Sequence, residues 1–364
     1  MNCLLTDEAN LLLLQSLVSG EAVSVNLSVL SRILGKHRNT IKKKVEAIFE
    51  HKILDPPVFK FPGLYRYYPL LIALNLDQPR MPSERIKFEK WVKEDPYIFA
   101  AFSSRQGDYD TLLFIYHQNI TSYQLWMESL PSTLRSTYGL SEAAANFESS
   151  TTYFSNQRVI KYNPSSGIHL IESDFQKGGE LDINGYNLDL VDLEIMKSLV
   201  SGKGIKTNYS ALCEKTGLHR KTIEKRISEL MKEGLLSTPV CRFPSYFVPP
   251  IYVLTYSLFE IKKSQEKVIR EIVQDPHVPI GYKILHGKFN FLLFGNHHSI
   301  GDHLRWEEGY RKKFPDAFGS VNITYLSPRM TIAFDRKIVA LSLIQNKMKS
   351  LHGKRLRKTL EMSS

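Results

Sequence analysis

The 364-residue chain is 43% hydrophobic and 23% charged, a composition that excludes an intrinsically disordered polymer. Its formal net charge of +11 at pH 7 favours a polyanionic partner such as nucleic acid. Three scattered cysteines exclude a disulfide framework or a zinc cluster. The N-terminus lacks the basic start of a secretory signal, and no apolar stretch is long enough to span a bilayer. We therefore expect a soluble, cytoplasmic protein with no membrane partner.

Three helices are predicted at the N-terminal end. The first begins after Thr6-Asp7, a typical N-cap, and ends before Gly20. A second covers about 26–34, and a third runs from His37 to about Glu50. The third helix carries one apolar stripe, formed by Ile41, Val45, Ile48 and Phe49. Three helices with a glycine in the short second turn predict a helix-turn-helix domain. The segment that ends at Pro62 follows as a small wing strand.

The next elements predict a different domain. Strands and helices alternate in the order β-α-β-β-α-β, which is the ferredoxin-like motif. The expected bounds are strands at 67–76, 97–103, 111–116 and 144–153, with helices at 83–94 and 120–135.

The same pattern is then repeated. Residues 16–62 align with 198–244 at a constant offset of 182 and without a gap, and from about Asp95 the offset becomes 180. A period of this length indicates two copies of a whole unit rather than a solenoid. Two copies of one surface in one chain predict an internal pseudo-dimer, with possible further homo-oligomerisation.

The predicted fold class is therefore α+β, with two copies of a winged helix-turn-helix domain followed by a ferredoxin-like βαββαβ domain. Residues 155–187 are expected to form a linker, in which 168–171 could add one strand. The tail is expected to be helical, with an apolar edge and a basic end at 354–358. The predicted divisions are 1–66 and 188–248 for the winged domains, 67–154 and 249–335 for the ferredoxin-like domains, and 336–364 for the basic tail.

Two motifs resemble those of the Lrp/AsnC family of feast/famine transcription regulators. Residues 187–195 (NLDLVDLEI) look like the first helix of that family, and residues 107–113 (GDYDTLL) look like its turn and strand near the effector pocket. The resemblance implies a regulator that binds double-stranded DNA and senses a small molecule, such as an amino acid. It places the effector site at Gly107, Asp108 and Asp110. The second copy has Lys288 and Asn290 at the two acidic positions, so one ligand per chain is expected.

The third helices carry the predicted DNA contacts. Segment 26–66 holds nine Lys/Arg against three acids, whereas segment 208–242 holds seven against four, so the first copy should bind DNA more tightly. Asn39 suits an adenine edge and Lys43 a guanine. The candidate residues are Lys36, Arg38, Asn39, Thr40, Lys42, Lys43 and Lys44 in the first copy, and Arg220, Lys221, Thr222, Lys225 and Arg226 in the second.

Other candidate residues have simpler explanations. His37 and His219 fit a helix cap or a phosphate contact, while the matched Trp126 and Trp306 fit the core. His297, His298 and His303 lack the cysteine or carboxylate partners of a metal site. No nucleotide-binding loop or nucleophile elbow is present. The sequence therefore predicts no enzyme, no catalytic residue, no cofactor and no metal.

Two alternatives to the regulator stay open. Siroheme decarboxylases also resemble Lrp/AsnC proteins and pair two such units, but need His and Arg around a tetrapyrrole pocket. The segments after the wings, 61–67 and 243–248, offer one arginine, Arg66, and no histidine. The other alternative is an architectural chromatin protein, which would bind all DNA sequences equally.

Overall fold

The computed structural model describes residues 2–104, 108–160, 166–178, 181–244, 248–262, 265–285 and 287–363. It has a mixed α/β fold built on one large antiparallel sheet. This agrees with the expectation of mixed helices and strands. None of the described helices is long and apolar enough to cross a membrane.

The N-terminal region folds as three helices with short strands between and after them. Asp7 caps the first helix by accepting from the Asn10 amide at 3.0 Å, and Gly20 ends it with φ +94°. His37 caps the third through Nδ1, which accepts from the Asn39 amide at 3.2 Å. The elements are α1 (Glu8–Ser19), β1 (Val23–Val25), α2 (Leu27–Leu34), α3 (Arg38–Glu50), β2 (Asp55–Lys60) and α4 (Leu64–Tyr67).

The following segment supplies four strands of the large sheet. Its elements are β3 (Leu70–Leu76), α5 (Pro82–Glu94), β4 (Ile98–Ser103), β5 (Thr111–His117), α6 (Ile120–Tyr138), α7 (Glu142–Ala145) and β6 (Ser149–Ile160). The strand expected at 144–153 begins later, because Ser141 caps a helical turn, accepting from the Ala144 amide at 3.3 Å. Tyr67, predicted to begin a strand, instead ends the short helix Leu64–Tyr67.

Residues 155–187 are largely structured rather than an open linker. They hold the end of β6, α8 (Ser166–Gln176), β7 (Leu181–Ile183) and the start of β8 (Tyr186–Leu188). The strand considered at 168–171 is a helix. Ile168, Leu170 and Ile171 are buried, because their spacing covers one face of a helix as readily as a strand.

The second half repeats this order of elements. It comprises α9 (Leu190–Val200), β9 (Ile205–Thr207), α10 (Tyr209–Thr216), α11 (Arg220–Lys232), β10 (Ser237–Arg242), β11 (Val253–Ile261), α12 (Gln265–Gln274), β12 (Ile280–Ile284), β13 (Phe291–His297), α13 (Ile300–Lys313), β14 (Phe318–Leu326), β15 (Thr331–Phe334) and α14 (Ile338–Ser363). The start of α14 is not a free tail, since Val339, Ala340, Leu343 and Ile344 are buried.

The large sheet has nine strands in the order β14-β11-β13-β12-β6-β3-β5-β4-β15. Within this sheet, two strand pairings join the halves. The end of β6 pairs with β12, so that Ile160 faces Gly281, and β15 pairs with β4, so that Phe334 faces Ala100. Each half therefore adds a strand to the edge of the sheet that the other half forms.

The two helical regions also pair with each other through short strands. β1 pairs with β9 and β2 pairs with β10, both antiparallel. Ser24 faces Lys206, and Val58 faces Val240. Both pairs join positions 182 apart, the offset of the sequence repeat. The strand that the sequence predicted as a wing is therefore covered on one edge.

Candidate ligand cavity and helical surfaces

Helices α3 and α11 present polar surfaces to solvent. Their apolar residues at equivalent positions, Ile41, Ile48, Ile223 and Leu230, are buried, which fixes the opposite faces outward. The exposed candidates are Lys36, Arg38, Asn39, Thr40, Lys42 and Lys43 from α3 and the turn before it, and Arg220, Lys221, Thr222 and Lys225 from α11. These ten side chains stay a predicted DNA-binding set. His219 caps α11 as His37 caps α3, accepting from the Lys221 amide at 3.3 Å.

Lys44 and Arg226, also predicted to contact DNA, instead bind other parts of the protein. Lys44 Nζ lies 2.8 Å from Asp189 Oδ2 and 2.9 Å from Asp192 Oδ2, at the start of α9. Arg226 Nη1 lies 3.0 Å from Asp7 Oδ1 and 2.7 Å from Asn10 Oδ1. We therefore remove both residues from the proposed DNA-binding set, because their charged groups bind the other helical region and their side chains are only 19% and 26% exposed.

A cavity of about 950 Å³ lies between the paired strands β2 and β10 and the large sheet. No single segment of the sequence predicts this cavity, because its walls come from segments far apart in the chain. Aromatic side chains form much of the wall, namely Phe59, Phe61, Tyr65, Phe99, Tyr116, Tyr282 and Phe334. The end of α1 and the first turn of α14 complete it.

Four cations and two carboxylates line the same cavity. The cations are Lys60, Arg242, Arg336 and Lys337, and the carboxylates are Asp55 and Asp335. The excess of positive charge suits an anionic ligand. The described wall residues include no histidine, so the wall offers cations and aromatic rings rather than imidazoles.

The segment 335–337, just before α14, is held in place against the cavity. Arg336 donates from Nη2 to the Phe243 carbonyl at 2.8 Å, and its guanidinium lies 4.7 Å from the centre of the Phe334 ring. Lys337 donates from Nζ to the Ser19 carbonyl at 3.2 Å. Asp335 accepts from the Lys337 amide at 2.8 Å. These bonds position two cations that the sequence places in the predicted basic tail, 336–364.

The predicted effector turn has a structural role in the described residues. Asp110 Oδ1 accepts from the Gln78 amide at 2.9 Å and from the Thr111 hydroxyl at 2.7 Å. Asp108 is exposed, while Gly107 lies outside the described residues. Binding of an amino acid at this turn stays a prediction.

The histidines of the second half form a buried cluster on the other face of the sheet. His297 Nε2 and His303 Nδ1 are 3.0 Å apart, and both rings are buried. Burial lowers the pKa of His297 to about 3 and that of His303 to about 4. Among the described residues, no three His, Cys, Asp or Glu side chains are arranged to hold a metal ion.

Trp126 and Trp306 do more than fill the core. Trp126 donates from Nε1 to Asp95 Oδ2 at 3.1 Å, and Trp306 donates to Asp275 Oδ2 at 2.7 Å. Burial raises the pKa of Asp95 despite its hydrogen bonds. At Asp275 burial acts in the same direction, but bonds from His277, Trp306 and Tyr310 outweigh it and lower the pKa to about 2.

One solved structure that resembles this chain over nearly its whole length is that of an enzyme. The crystal structure of the siroheme decarboxylase NirDL covers 95% of this chain and 100% of its own, with a TM-score of 0.50 and 11% identity. AsnC of E. coli covers 39% of this chain and 93% of its own, with a TM-score of 0.28 and 17% identity. A regulator of Neisseria meningitidis in complex with L-Met covers 38% of this chain and 89% of its own, with a TM-score of 0.28 and 15% identity. No protein-family model and no curated protein sequence matches the chain.

The full-length match corrects one expectation. The sequence predicted that the protein is not an enzyme because it carries none of the familiar catalytic motifs. The structure of a siroheme decarboxylase, which matches this chain from end to end, overturns that prediction.

Proposed function

We propose that the protein is an enzyme that binds a carboxylate-bearing iron tetrapyrrole of the siroheme class in the 950 Å³ cavity and decarboxylates it. The observation that carries the proposal is a large aromatic cavity in which cations outnumber carboxylates. Its volume lies at the upper end of the range for ligand sites, about 300–1,000 Å³. The full-length fold shared with siroheme decarboxylase NirDL supports the same ligand class.

The wall chemistry fits the periphery of such a molecule. A tetrapyrrole is flat and aromatic, and rings such as Tyr116 and Tyr282 can stack against its faces. Its side-chain carboxylates would pair with Lys60, Arg242, Arg336 and Lys337, since hydrogen bonds between charged partners are the strong ones. Iron enters as part of the substrate, and the described wall residues recognise the carboxylates rather than the metal.

Siroheme binding can be measured by titrating the protein and following the absorbance of the tetrapyrrole. Lys60→Gln and Arg242→Gln should each weaken binding about 10- to 100-fold, the effect of losing one charge-assisted hydrogen bond. Lys43→Gln removes an exposed charge outside the cavity and should leave affinity unchanged. Failure of the unmodified protein to perturb the siroheme spectrum would refute the proposal.

DNA binding by α3 and α11 is a second candidate function. The exposed basic side chains opposite the buried apolar stripes favour it, as does the excess of Lys and Arg around α3. Such contacts would use Lys36, Arg38, Lys42 and Lys43 on one side and Arg220, Lys221 and Lys225 on the other, with Asn39, Thr40 and Thr222 near the helix starts.

We also propose that the chain is an internal pseudo-dimer of two repeated units, each a winged helix-turn-helix followed by a ferredoxin-like domain. The facing pairs Ser24–Lys206 and Val58–Val240 support this arrangement, since each joins two positions related by the sequence repeat. The cavity would then be shared by both units, because β2 and β10 both line it.

A further inference from the structure

Two aromatic residues of the cavity wall have repeat counterparts that are fully buried. The paired strands β2 and β10 both line the cavity, but Phe61 and Tyr116 line it from the first half of the chain alone. At the offsets of the sequence repeat, 182 and 180, their counterparts are Phe243 and Asn296. Both of these side chains are 0% exposed. The two halves therefore treat equivalent positions differently, and something covers the second pair.

Helix α8 is what covers them. Gly167, the second residue of α8, lies so close to Phe243 that a Cβ atom at this position would come within 2.7 Å of the ring. Only glycine permits such a close approach of the backbone. One residue earlier, Ser166 Oγ accepts a hydrogen bond from Asn296 Nδ2 at 3.2 Å. Beside the second half, α8 thus fills the space that stays open beside the first half.

Several contacts fix α8 to the second half. Tyr252 donates from Oη to Asp174 Oδ2 at 2.6 Å. His298 Nε2 lies 3.0 Å from Asp174 Oδ1 and 3.2 Å from the Leu170 carbonyl oxygen. Leu170 and Ile171 are both 0% exposed, and moving α8 aside would expose them to water, which is unfavourable. The helix is therefore part of the core rather than a lid.

Helix α14 occupies the matching place in the first half but leaves the cavity open. Each of the two helices follows a strand segment that pairs across the halves, since the end of β6 pairs with β12 and β15 pairs with β4. The first turn of α14 contributes the small side chain of Ala340 to the cavity wall. The helix then runs along α1, where His352 Nε2 lies 3.1 Å from Glu8 Oε1.

We propose that α8 closes the second of two pseudo-equivalent ligand positions, so that each chain binds one tetrapyrrole, between the paired strands and the first half. This inference rests on the proposed function and on the proposed pseudo-dimer. Lys60 and Arg242 are repeat counterparts that line the same cavity, so both cations would serve the same bound molecule. The second half would then contribute to the site without holding a ligand of its own.

The stoichiometry of binding tests this inference. Siroheme is titrated into the full-length protein, at a protein concentration well above the Kd, and its absorbance is followed. We expect the signal to stop changing at one siroheme per chain. A breakpoint at two per chain would overturn the inference and leave the proposed function intact. A protein that does not bind siroheme would refute the proposed function itself, and this inference with it.

A matched pair of variants tests where the ligand lies. Ser19 lines the cavity, whereas its repeat counterpart Ser201 is exposed. Each hydroxyl donates to the carbonyl three residues earlier, that of Ser16 at 3.3 Å and that of Ser198 at 2.9 Å. Tryptophan at either position therefore disturbs the same local bond, but only Ser19→Trp adds bulk to the cavity wall.

We expect Ser19→Trp to raise the Kd for siroheme by about 10-fold or more, because overfilling a packed site is unfavourable. Ser201→Trp should bind like the parent. If Ser19→Trp keeps the parent's affinity, or if half of the bound siroheme keeps it, the placement beside the first half is wrong. The stoichiometry of the unmodified protein tests the inference even if Ser19→Trp does not fold.

Discussion

Lys44 and Arg226, which lie 182 positions apart, make mirrored contacts between the two helical regions. Lys44 reaches from α3 to Asp189 and Asp192 at the start of α9, and Arg226 reaches from α11 to Asp7 and Asn10 at the start of α1. The first contact is the more buried, because the Asp192 side chain is 0% exposed. Burial raises the pKa of Asp192 although Lys44 opposes it. Its carboxylate also accepts from Tyr186 Oη at 3.1 Å.

Lys44→Ala should therefore destabilise the protein. It leaves the buried Asp192 carboxylate without its cation, which costs about 2–4 kcal/mol, near the lower end for broken buried pairs because Lys44 itself is partly exposed. Its neighbour Lys43 is exposed, and Lys43→Ala should change the free energy of unfolding by about 0.5 kcal/mol or less. Denaturant unfolding of both variants measures the difference. Equal stability of the two variants would refute the proposed inter-region role of Lys44.

Buried histidines should make the protein sensitive to acid. Burial lowers the pKa of His117 to about 4, whereas the unfolded chain binds that proton near 6.5. As pH falls from 6.5 to 4, the unfolded state takes up the proton and the folded state does not, so stability falls. His117→Phe should reduce this acid-induced loss of unfolding free energy by about 3 kcal/mol. It should also keep the ring contact with Tyr97, whose ring centre lies 4.5 Å from that of His117. Unfolding at several pH values checks it, and an unchanged pH dependence would count against a buried neutral His117.

The two halves should associate when expressed separately. Four strand pairings join them, namely β1–β9, β2–β10, β6–β12 and β4–β15, and each half alone would expose these edges. Fragments 1–178 and 181–364 should form a one-to-one complex at micromolar concentration, as measured by analytical ultracentrifugation. Two fragments that each stay monomeric in the mixture would contradict the internal pseudo-dimer.

The DNA-binding proposal has its own test in Lys43 and Lys225. If these residues contact phosphate, each alanine substitution should reduce the slope of log affinity against log salt concentration by about one. If Lys43 instead contacts a guanine base, Lys43→Ala should cost about 1–3 kcal/mol of binding free energy and relax specificity at one base pair. Lys43→Ala should cost more than Lys225→Ala, because the surroundings of α3 are more basic. Affinity for a selected DNA duplex at several salt concentrations measures this. Lys90→Ala on α5 is the control, and a Lys43→Ala/Lys225→Ala protein that binds like the parent would refute the assignment.

Most helices of both halves could be predicted because their signals are local, but α4, α7 and α8 could not. Asp7 caps α1 as expected, His37 and His219 cap helices, which is one of the roles that their sequence context left open, and the stripe of Ile41, Val45 and Ile48 is buried. The order of helices and strands along the chain could be predicted for the same reason. The partner of each strand could not, since pairing of Ser24 with Lys206 depends on how the halves meet in space.

The cavity could not be predicted because no segment carries it. Asp55, Arg242 and Arg336 are far apart in the sequence and meet only where β2, β10 and α14 converge. Arg336 lies between a strand and a basic C-terminal helix, so its neighbours in the sequence indicate a tail residue and not a cavity wall. The helical pattern predicts DNA contacts for Lys44 and Arg226 because it indicates which side chains face outward. It does not indicate that carboxylates of a distant helix lie next to them.

Product analysis after incubation with siroheme tests the central proposal most directly. The account predicts that the unmodified protein converts siroheme into a product lighter by the mass of carbon dioxide, as detected by mass spectrometry. Lys60→Gln/Arg242→Gln, which removes two cations from the cavity wall, should form much less product at limiting substrate. Recovery of unchanged siroheme from the unmodified protein, under conditions where binding is saturated, would contradict the assignment of the cavity as a decarboxylase site.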